Sequence, residues 1–356
     1  MLASPDLPKD KTFGLLLIGL GTRGKMWARV IDADPIAKIS AAVDIGAAAR
    51  AEFAEAHPHV EVFPTIEDAL AKGPFKAAIL VTPPDGHLVQ CRQLFEAGLP
   101  ILSEKPLTVK LSEAVAIVDL ADRHLLPLTV GLNFRFLPVH QKQRELLTSE
   151  FLGPVGFGEF IYRRNRDGRR PGINKYPLTM WHPMMLEQSI HHLDLIRYCY
   201  GREVESIMCR TWNPPWSMYA HDANVHALLT LEGGVAINYF GTWSGGWNEP
   251  GFEWRSDCEG GVIVQRELFS QLGYARKTDK ELTPIDLEPA EAFYDDTALL
   301  LREFIQAVQN GTSIPCDGRD HLRTLALCFA GIESSETGRA IDIKRFYRDQ
   351  NLERLL

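Results

Sequence analysis

The sequence predicts an α/β chain of two domains, a doubly wound parallel sheet followed by an α+β domain. Three observations carry this. The chain has 356 residues, more than one hydrophobic core usually organises. Its first third alternates short, continuous apolar runs with amphipathic stretches, the rhythm of repeated strand–helix units. After about residue 132 that rhythm gives way to longer strand patterns joined by glycine pairs. The expected domains are therefore 1–132 and 133–356.

Phe13–Ile18 is apolar throughout and closed by Gly19, as a strand buried on both faces must be. Residues 25–33 read as a helix stopped near Pro35, and 39–43 as a second strand ending at Asp44. A helix over 47–56, short strands over 60–63 and 77–81, and a short helix over 66–71 continue the pattern. Residues 87–97 form a helix with Gly98 at its end. A strand at 101–102, a helix over 112–124 capped by Ser112, and the strand Leu128–Val130 complete the first domain. In the second, helices are expected over 139–149, 186–199, 296–309 and 320–337. Strands are expected over 156–163, 204–211, 225–231, 235–241 and 261–265, with hairpin turns at Glu232-Gly233-Gly234 and Glu259-Gly260-Gly261.

Composition narrows the function. Lys and Arg number 38 against 46 Asp and Glu, a net charge of −8 that opposes binding to nucleic-acid phosphates. Six scattered cysteines without a C-x-x-C pair suit a reducing compartment better than a disulfide framework or zinc site. The first eleven residues carry prolines and charges where a signal peptide needs an apolar stretch. No run approaches the roughly 18 apolar residues of a membrane helix. A cytoplasmic protein without membrane or nucleic-acid partners is expected.

Gly19-Leu20-Gly21-Thr22-Arg23-Gly24 fits G-x-G-x-x-G between a strand and a helix. Gly19 makes the tight turn, Gly21 admits a pyrophosphate close to the backbone, and Gly24 lets helix and strand pack. The helix N-terminus offers N–H groups and partial positive charge to phosphates. Asp44 lies 20 positions beyond Gly24, where a carboxylate accepts both ribose hydroxyls and repels a 2′-phosphate. NAD is thus expected over NADP; Arg23 and Arg50 are the residues that would neutralise a 2′-phosphate. This is the signature of a Rossmann domain.

Two further clusters suggest chemistry. Ser103-Glu104-Lys105-Pro106 follows the strand at 101–102, which puts Lys105 at the carboxyl edge of the sheet, where ligands bind. Glu187, His191 and Asp194 fall at i, i+4 and i+7 of one expected helix, on one face. A lysine, a histidine and carboxylates can together transfer a proton and position a hydroxyl. Glu187, His191, Asp194 and His182 also suit a divalent ion, but no metal is expected, because Lys105 already supplies positive charge. His192, adjacent to His191, points elsewhere and is expected to be structural.

The sequence resembles the glucose–fructose oxidoreductase/inositol dehydrogenase (Gfo/Idh/MocA) family from Phe13 to about Ile343. The resemblance rests on Gly19–Gly24, Thr82-Pro83-Pro84 with His87, Glu104-Lys105-Pro106 and Asn133-Phe134-Arg135-Phe136. It also rests on Ser189-Ile190-His191-His192-Leu193-Asp194 and the closing Phe304, Gly311, Pro315 and Gly338. It implies a Rossmann domain joined to a domain with a large open antiparallel sheet, both contributing to the active site. It further implies that Lys105 binds the reacting hydroxyl, His191 is the general base and Asp194 positions the substrate. Glu104, Thr82 and Asn133 would lie near the nicotinamide, and Lys105–Pro106 would be cis. Family members often carry Asp at position 187 and Gly at 189, so Glu187 and Ser189 depart from an inositol-type pattern.

The expected function is hydride transfer between a nicotinamide and a hydroxyl or carbonyl carbon of a sugar, polyol or derivative. The expected cofactor contacts are Gly19, Gly21, Thr22, Arg23, Gly24, Asp44, Thr82, Pro84, His87, Glu104, Lys105 and Asn133. The expected substrate contacts are Lys105, Asn133, Arg135, Arg163, Trp181, Glu187, His191 and Asp194, with Lys105, His191, Asp194 and Glu187 catalytic. Two rivals share the fold: a hydrolase or isomerase that recycles tightly held NAD, and a non-enzymatic NAD(H) sensor. A homodimer or homotetramer is expected through the open sheet, with Tyr239 read as an outward-facing position.

Overall fold

The computed structural model describes residues 12–355; the stretch read above for a targeting signal lies outside them. The chain forms two units, each with its own sheet.

In the first unit β1 (Phe13–Ile18), α1 (Thr22–Ala33), β2 (Ala37–Val43), α2 (Ala47–Ala56), β3 (Glu61–Phe63), α3 (Ile66–Leu70), β4 (Ala77–Leu80), α4 (His87–Glu96), β5 (Ile101–Ser103), α5 (Leu111–His124) and β6 (Leu128–Val130) follow one another. The six strands are parallel and ordered β3-β2-β1-β4-β5-β6. That order reverses direction between β1 and β4, the switch point at which such sheets bind ligands. Leu15, Leu16 and Leu17 are wholly buried, which is why the strand reads as an uninterrupted apolar run.

The first unit does not end where the rhythm of the sequence changes. Thr297–Asp317, expected to lie in the second domain, belongs to it. The Val130 amide donates to the Cys316 carbonyl (2.9 Å) and Thr129 bridges Asp317. Arg302, on the helix α8 (Asp295–Asn310), reaches Asp34 at 3.4 Å.

The second unit holds α6 (Pro138–Thr148), β7 (Val155–Arg163), α7 (Ile190–Tyr200), β8 (Val204–Trp212), β9 (Asn224–Leu231), β10 (Val235–Thr242), β11 (Gly251–Cys258), β12 (Gly261–Glu267), β13 (Ser270–Arg276), β14 (Thr283–Pro284), α9 (Gly318–Thr337), β15 (Ile341–Asp342) and α10 (Ile343–Asp349). The nine strands run β14-β13-β12-β11-β7-β10-β9-β8-β15. The sheet is mixed, because β7 and β10 pair in parallel while the other pairs are antiparallel. Both expected glycine turns are present, with Gly233 and Gly234 at φ +79°.

Strand alternation sorts the two faces of this sheet. Phe160, Tyr162 and Tyr239 pack against His192 of α7, whereas Phe157, Met208 and Leu228 are exposed. Tyr239 is therefore not an outward position: it is fully buried, and the strand turns Ala236, Asn238 and Phe240 the other way.

Candidate active site

The first unit builds a dinucleotide cradle largely from main chain. Gly19 takes φ +98°, and a Cβ there would stand 2.7 Å from the Val81 carbonyl oxygen. A Cβ on Gly24 would lie 2.0 Å from the Gly19 oxygen, whereas at Gly21 the same position is open space. Two glycines thus close the turn and the third leaves room for a ligand. α1 begins just after Gly21, with no side chain capping it and no acidic residue in its first turn. Gly21 and Thr22 are exposed there. This arrangement fits a pyrophosphate.

Asp44 is held by the backbone on both sides. One carboxylate oxygen accepts from the Leu20 amide (2.8 Å) and the other from the Gly46 amide (2.7 Å). An ionised carboxylate has about four acceptor sites, so each oxygen can also accept from a ribose hydroxyl. The two arginines that would serve a 2′-phosphate are engaged elsewhere. Arg50 donates to the Asp44 and Ile45 carbonyls, and Arg23 donates to Glu104 (2.6 Å) and Thr297 (3.1 Å).

Beside the cradle, Glu104 also accepts from the Trp27 indole (2.7 Å), tying the end of β5 to α1. Burial pushes its carboxyl up, but the charges of Arg23 and Lys105 and the bonds from Trp27 and Arg23 outweigh this and hold it below the usual range. Lys105 follows in a cis Lys105–Pro106 bond, as the resemblance implies. His87 is fully buried, with Nδ1 2.9 Å from the Leu107 carbonyl and Nε2 2.9 Å from the Thr82 carbonyl. Burial holds it below the usual histidine range, so the neutral ring donates to one of these two carbonyls, and it stands as a strut between the chain segments that flank Pro84 and Lys105. Thr82 donates its hydroxyl to Gln90 (2.6 Å).

The second unit positions its groups by side chain. Met184–Ser189 is a π-helical turn leading into α7, which corrects the single regular helix expected over 186–199. Such wide turns recur at functional sites, and this one carries Glu187 just before His191. The His191 ring, 6 % exposed, stacks on Phe134 with centroids 4.1 Å apart and planes 20° from parallel.

Asp194 is almost fully buried, and both of its oxygens are committed. Arg135 donates to it through Nε (2.7 Å) and Nη2 (2.5 Å), and Thr324 through its hydroxyl (2.9 Å). Arg135 also meets Asp320 (2.7 Å), which pairs with Arg197 (2.9 Å). This clamp ties the turn Asn133–Phe136 to α7, and so places Phe134 beneath His191. Asp194 and Arg135, both expected to touch substrate, are paired with one another. The Asn133 amide goes to Asp296 (2.6 Å).

A second chain of bonds fixes the π turn. Gln188 Nε2 lies 3.0 Å from His192 Nε2, His192 Nδ1 lies 2.9 Å from the Tyr239 hydroxyl, and that hydroxyl donates to Ser189 (2.7 Å). Burial and the neighbouring His140 push His192 down to about 3, so its ring is neutral. With one ring proton, His192 accepts from Gln188 and donates to Tyr239. His192 is structural, as the sequence suggests.

Two expected substrate residues do not join His191. Arg163 lies over the Phe240 ring at 5.4 Å, on the sheet face turned away from α7. Trp181 lines a cleft of about 640 Å³ with Phe329, Glu333, Glu336 and Phe346, a group that includes neither His191 nor Glu187. Sequence reading missed Phe134, whose partner is set by folding, and the Ser189–Tyr239 pair, for which the departure from glycine at 189 was the available signal.

A cradle of this form at the switch point of a 3-2-1-4-5-6 sheet defines an NAD(P)-binding oxidoreductase fold. The family follows from the sequence of both units. The model of the Gfo/Idh/MocA oxidoreductase family's NAD-binding Rossmann fold matches residues 13–132, and that of its C-terminal domain matches 140–263. The chain belongs to the Gfo/Idh/MocA family. It is 26% identical to the protein y4oX of Sinorhizobium fredii across 94% of this chain and 97% of that one. Over 64% of its length it is 31% identical to an inositol 2-dehydrogenase of Corynebacterium glutamicum, covering 66% of that enzyme. An oxidoreductase from Agrobacterium radiobacter, solved with NAD+, L-tartaric acid and magnesium, shares the fold at a TM-score of 0.85. It is 20% identical, with 94% of this chain and 99% of that one covered.

Proposed function

We propose that the protein is an NAD-dependent dehydrogenase or reductase acting on a CH–OH or carbonyl carbon of a sugar, polyol or derivative. The observation that carries this reading is His191, an imidazole fixed on Phe134 four positions after Glu187 of the π turn, in a chain whose other unit is a dinucleotide cradle. NAD, when bound, supplies the acceptor or donor of the hydride. The main chain from Gly19 to Gly24 would hold the pyrophosphate and Asp44 the adenosine ribose, with Thr82, Glu104 and Asn133 serving the nicotinamide end. Lys105 binds the reacting hydroxyl and stabilises negative charge as it develops on oxygen, commonly a large contribution to catalysis. His191 takes the hydroxyl proton, or returns it in the reductive direction. Glu187 shares the substrate hydroxyls, and the Arg135–Asp194 clamp positions Phe134 and His191. The inositol 2-dehydrogenase relative supports the substrate class; Asp44 and the engaged Arg23 and Arg50 support NAD over NADP.

The test is a screen of polyols, aldoses and glycosides at 340 nm with both cofactors. Net NADH formation from NAD+ and at least one such compound is the expected result. An absorbance rise that appears and decays within a turnover would replace this reading with internal recycling of NAD. No reaction with any of them would remove it.

We infer in addition that the protein is a homodimer or homotetramer paired through the open face of the nine-stranded sheet. Phe157, Met208 and Leu228 are 57%, 44% and 53% exposed there, and Phe240 lies on the same face. Apolar residues gathered on one sheet face are a liability in a monomer.

A further inference from the structure

The π turn Met184–Ser189 is wider than a regular helix, and its neighbours make room for that width by omitting side chains. Gly241 of β10 faces the first residue of the turn: a Cβ there would collide with Met184 Cε and with the Tyr239 hydroxyl. Gly331 of α9 faces the second: a Cβ there would stand 2.9 Å from Met185 Cε and 3.2 Å from Ile207 Cδ1. The gap at 241 is also what the Tyr239 hydroxyl occupies, since residues two apart on a strand share a face.

The bonds behind the turn close on themselves. Gln188 meets His192, His192 meets Tyr239, Tyr239 meets Ser189, and Ser189 is the chain neighbour of Gln188. Gln188 follows Glu187, His192 follows His191, and Ser189 stands midway between the two groups assigned to the reaction. Tyr239 is the one member of this loop that comes from neither the turn nor α7. Ser189, His192 and Tyr239 are fully buried. Burial pushes the Tyr239 phenol well above its ordinary range and His192 down to about 3. Tyr239 therefore keeps its proton and His192 takes no second one, so the direction of the bonds is fixed.

We propose that Tyr239 is a positioning residue for the proton transfer: through Ser189 and His192 it holds the turn wide, and so fixes the angle about the helix axis between Glu187 and His191. This rests on the reading of His191 as the base and adds to it a residue that acts only through others. A π turn gives up i→i+4 bonds for i→i+5 ones, and runs of it are rare because the regular helix is the default. Winding the turn back to the regular form would rotate Ser189 away from the Tyr239 hydroxyl. Both groups would then be buried without a partner, an uncompensated desolvation that opposes the change. Removing the tyrosine hydroxyl removes that opposition and leaves the aromatic ring in place. The turn then rewinds, and Glu187 swings about the axis relative to His191.

The test uses the full chain as wild type, Tyr239→Phe, Ser189→Ala and the double variant, with two readouts. The first is the NMR spectrum of 15N-labelled histidine rings, in which His191 is assigned from His191→Asn and needs no substrate. The second is kcat with NAD+ and the compounds of the 340 nm screen that form NADH, myo-inositol and D-glucose first. Tyr239→Phe should shift or split the His191 ring signals and leave those of His87, in the first unit, unmoved. It should lower kcat roughly tenfold, the scale of one hydrogen bond, while NAD+ binding persists. Ser189→Ala should act in the same direction, and the double variant should do no more than the larger single one, because the two hydroxyls share one bond. A Tyr239→Phe protein whose His191 signals stay in place, or that turns over at the wild-type rate, overturns the proposal. So do effects of the two substitutions that simply add. If the His191 signals move but no compound ever forms NADH, Tyr239 stands as the residue that sets the turn and the oxidoreductase reading falls. NADH formed at the same rate with and without the Tyr239 hydroxyl gives the reverse.

Discussion

The two units solve the same problem, holding a few groups still for a ligand, with different materials. In the first, the backbone does it: glycines shape the turn, and Asp44 is gripped by the Leu20 and Gly46 amides. In the second, side chains do it: Arg135 clamps Asp194, and Gln188, His192, Tyr239 and Ser189 form a line of bonds behind the π turn. A site made of main chain presents the same donors whatever most of its side chains are, which suits an invariant cofactor. A site made of side chains can be re-cut residue by residue, which suits a substrate that differs among relatives. The cost is that single substitutions in the second unit reach further.

The largest expected effect lies in the clamp. Arg135→Met takes the nearest cation from buried Asp194, leaving it Arg197 at 3.9 Å and the Thr324 hydroxyl, and should cost about 3 kcal/mol of stability, measured by urea denaturation. A loss below about 1 kcal/mol would show that the side-chain scaffold is not what holds the second unit's site. Next come the reacting groups. His191→Ala and Lys105→Met should each lower kcat by roughly 10²-fold or more, while NAD+ binding, followed by fluorescence titration, persists. Near-wild-type turnover in either would move the chemistry elsewhere.

Acid separates the units in another way. Burial holds His192 near 3 and His140 near 4, against roughly 6.5 for a free histidine. Below pH 6.5 the unfolded chain takes up protons that these folded rings refuse. Their contribution is intact above that pH and drains away as pH falls toward 4. The slope should be about 1.4 kcal/mol per pH unit for each ring, and His192→Asn should remove one ring's share from denaturation curves recorded between pH 6.5 and 5. A slope unchanged by that substitution would mean His192 charges freely in the fold. Glu104, held below the usual range by Arg23 and Lys105, drains in the same direction but only below the ordinary carboxyl range.

In the first unit, Asp44→Ala should narrow the preference for NAD over NADP by about tenfold, the scale of a charge-assisted hydrogen bond, read from Kd values for both cofactors. A wild type that prefers NADP would refute the assignment outright. The smallest effect is at the open sheet face. Leu228→Asp should shift light scattering toward the 39.9 kDa monomer at micromolar concentration and leave cofactor binding alone; a wild type that is already monomeric ends that inference.

Legibility in the sequence followed the same division. The Rossmann strands stood out because strands buried on both faces are continuously apolar, and the cofactor motif because glycine spacing is local. β11 and β13 were missed: Arg255 and Asp257 interrupt the first, and Ser270, Gln271 and Gly273 dilute the second. Met184–Ser189 has a composition that any helix tolerates, so nothing local distinguishes a wide turn from a regular one. The helical spacing of Glu187, His191 and Asp194 reads them onto one helical stretch, and the π turn with α7 is that stretch, but Asp194's partner is Arg135, 59 positions away. Phe269 and Phe293 lie in loops, more than 130 positions from Phe134, whose ring they meet, and no periodicity announces such a group.

The return of Thr297–Asp317 to the first unit bears on how such proteins can be recombined. Its carbonyl at Cys316 completes the hydrogen bonding of β6, and Thr297 holds Arg23. A fragment that stops at Gly131 would carry every residue of the glycine motif, yet leave the edge of its sheet unpaired at Val130 and Arg23 without one of its acceptors. Shuffling between homologues by a single crossover near residue 132 would mismatch that return segment against a foreign sheet edge. Productive chimaeras of this cofactor half therefore require two junctions beyond it, one on each side of the 297–317 stretch, so that the edge and its mate are inherited together.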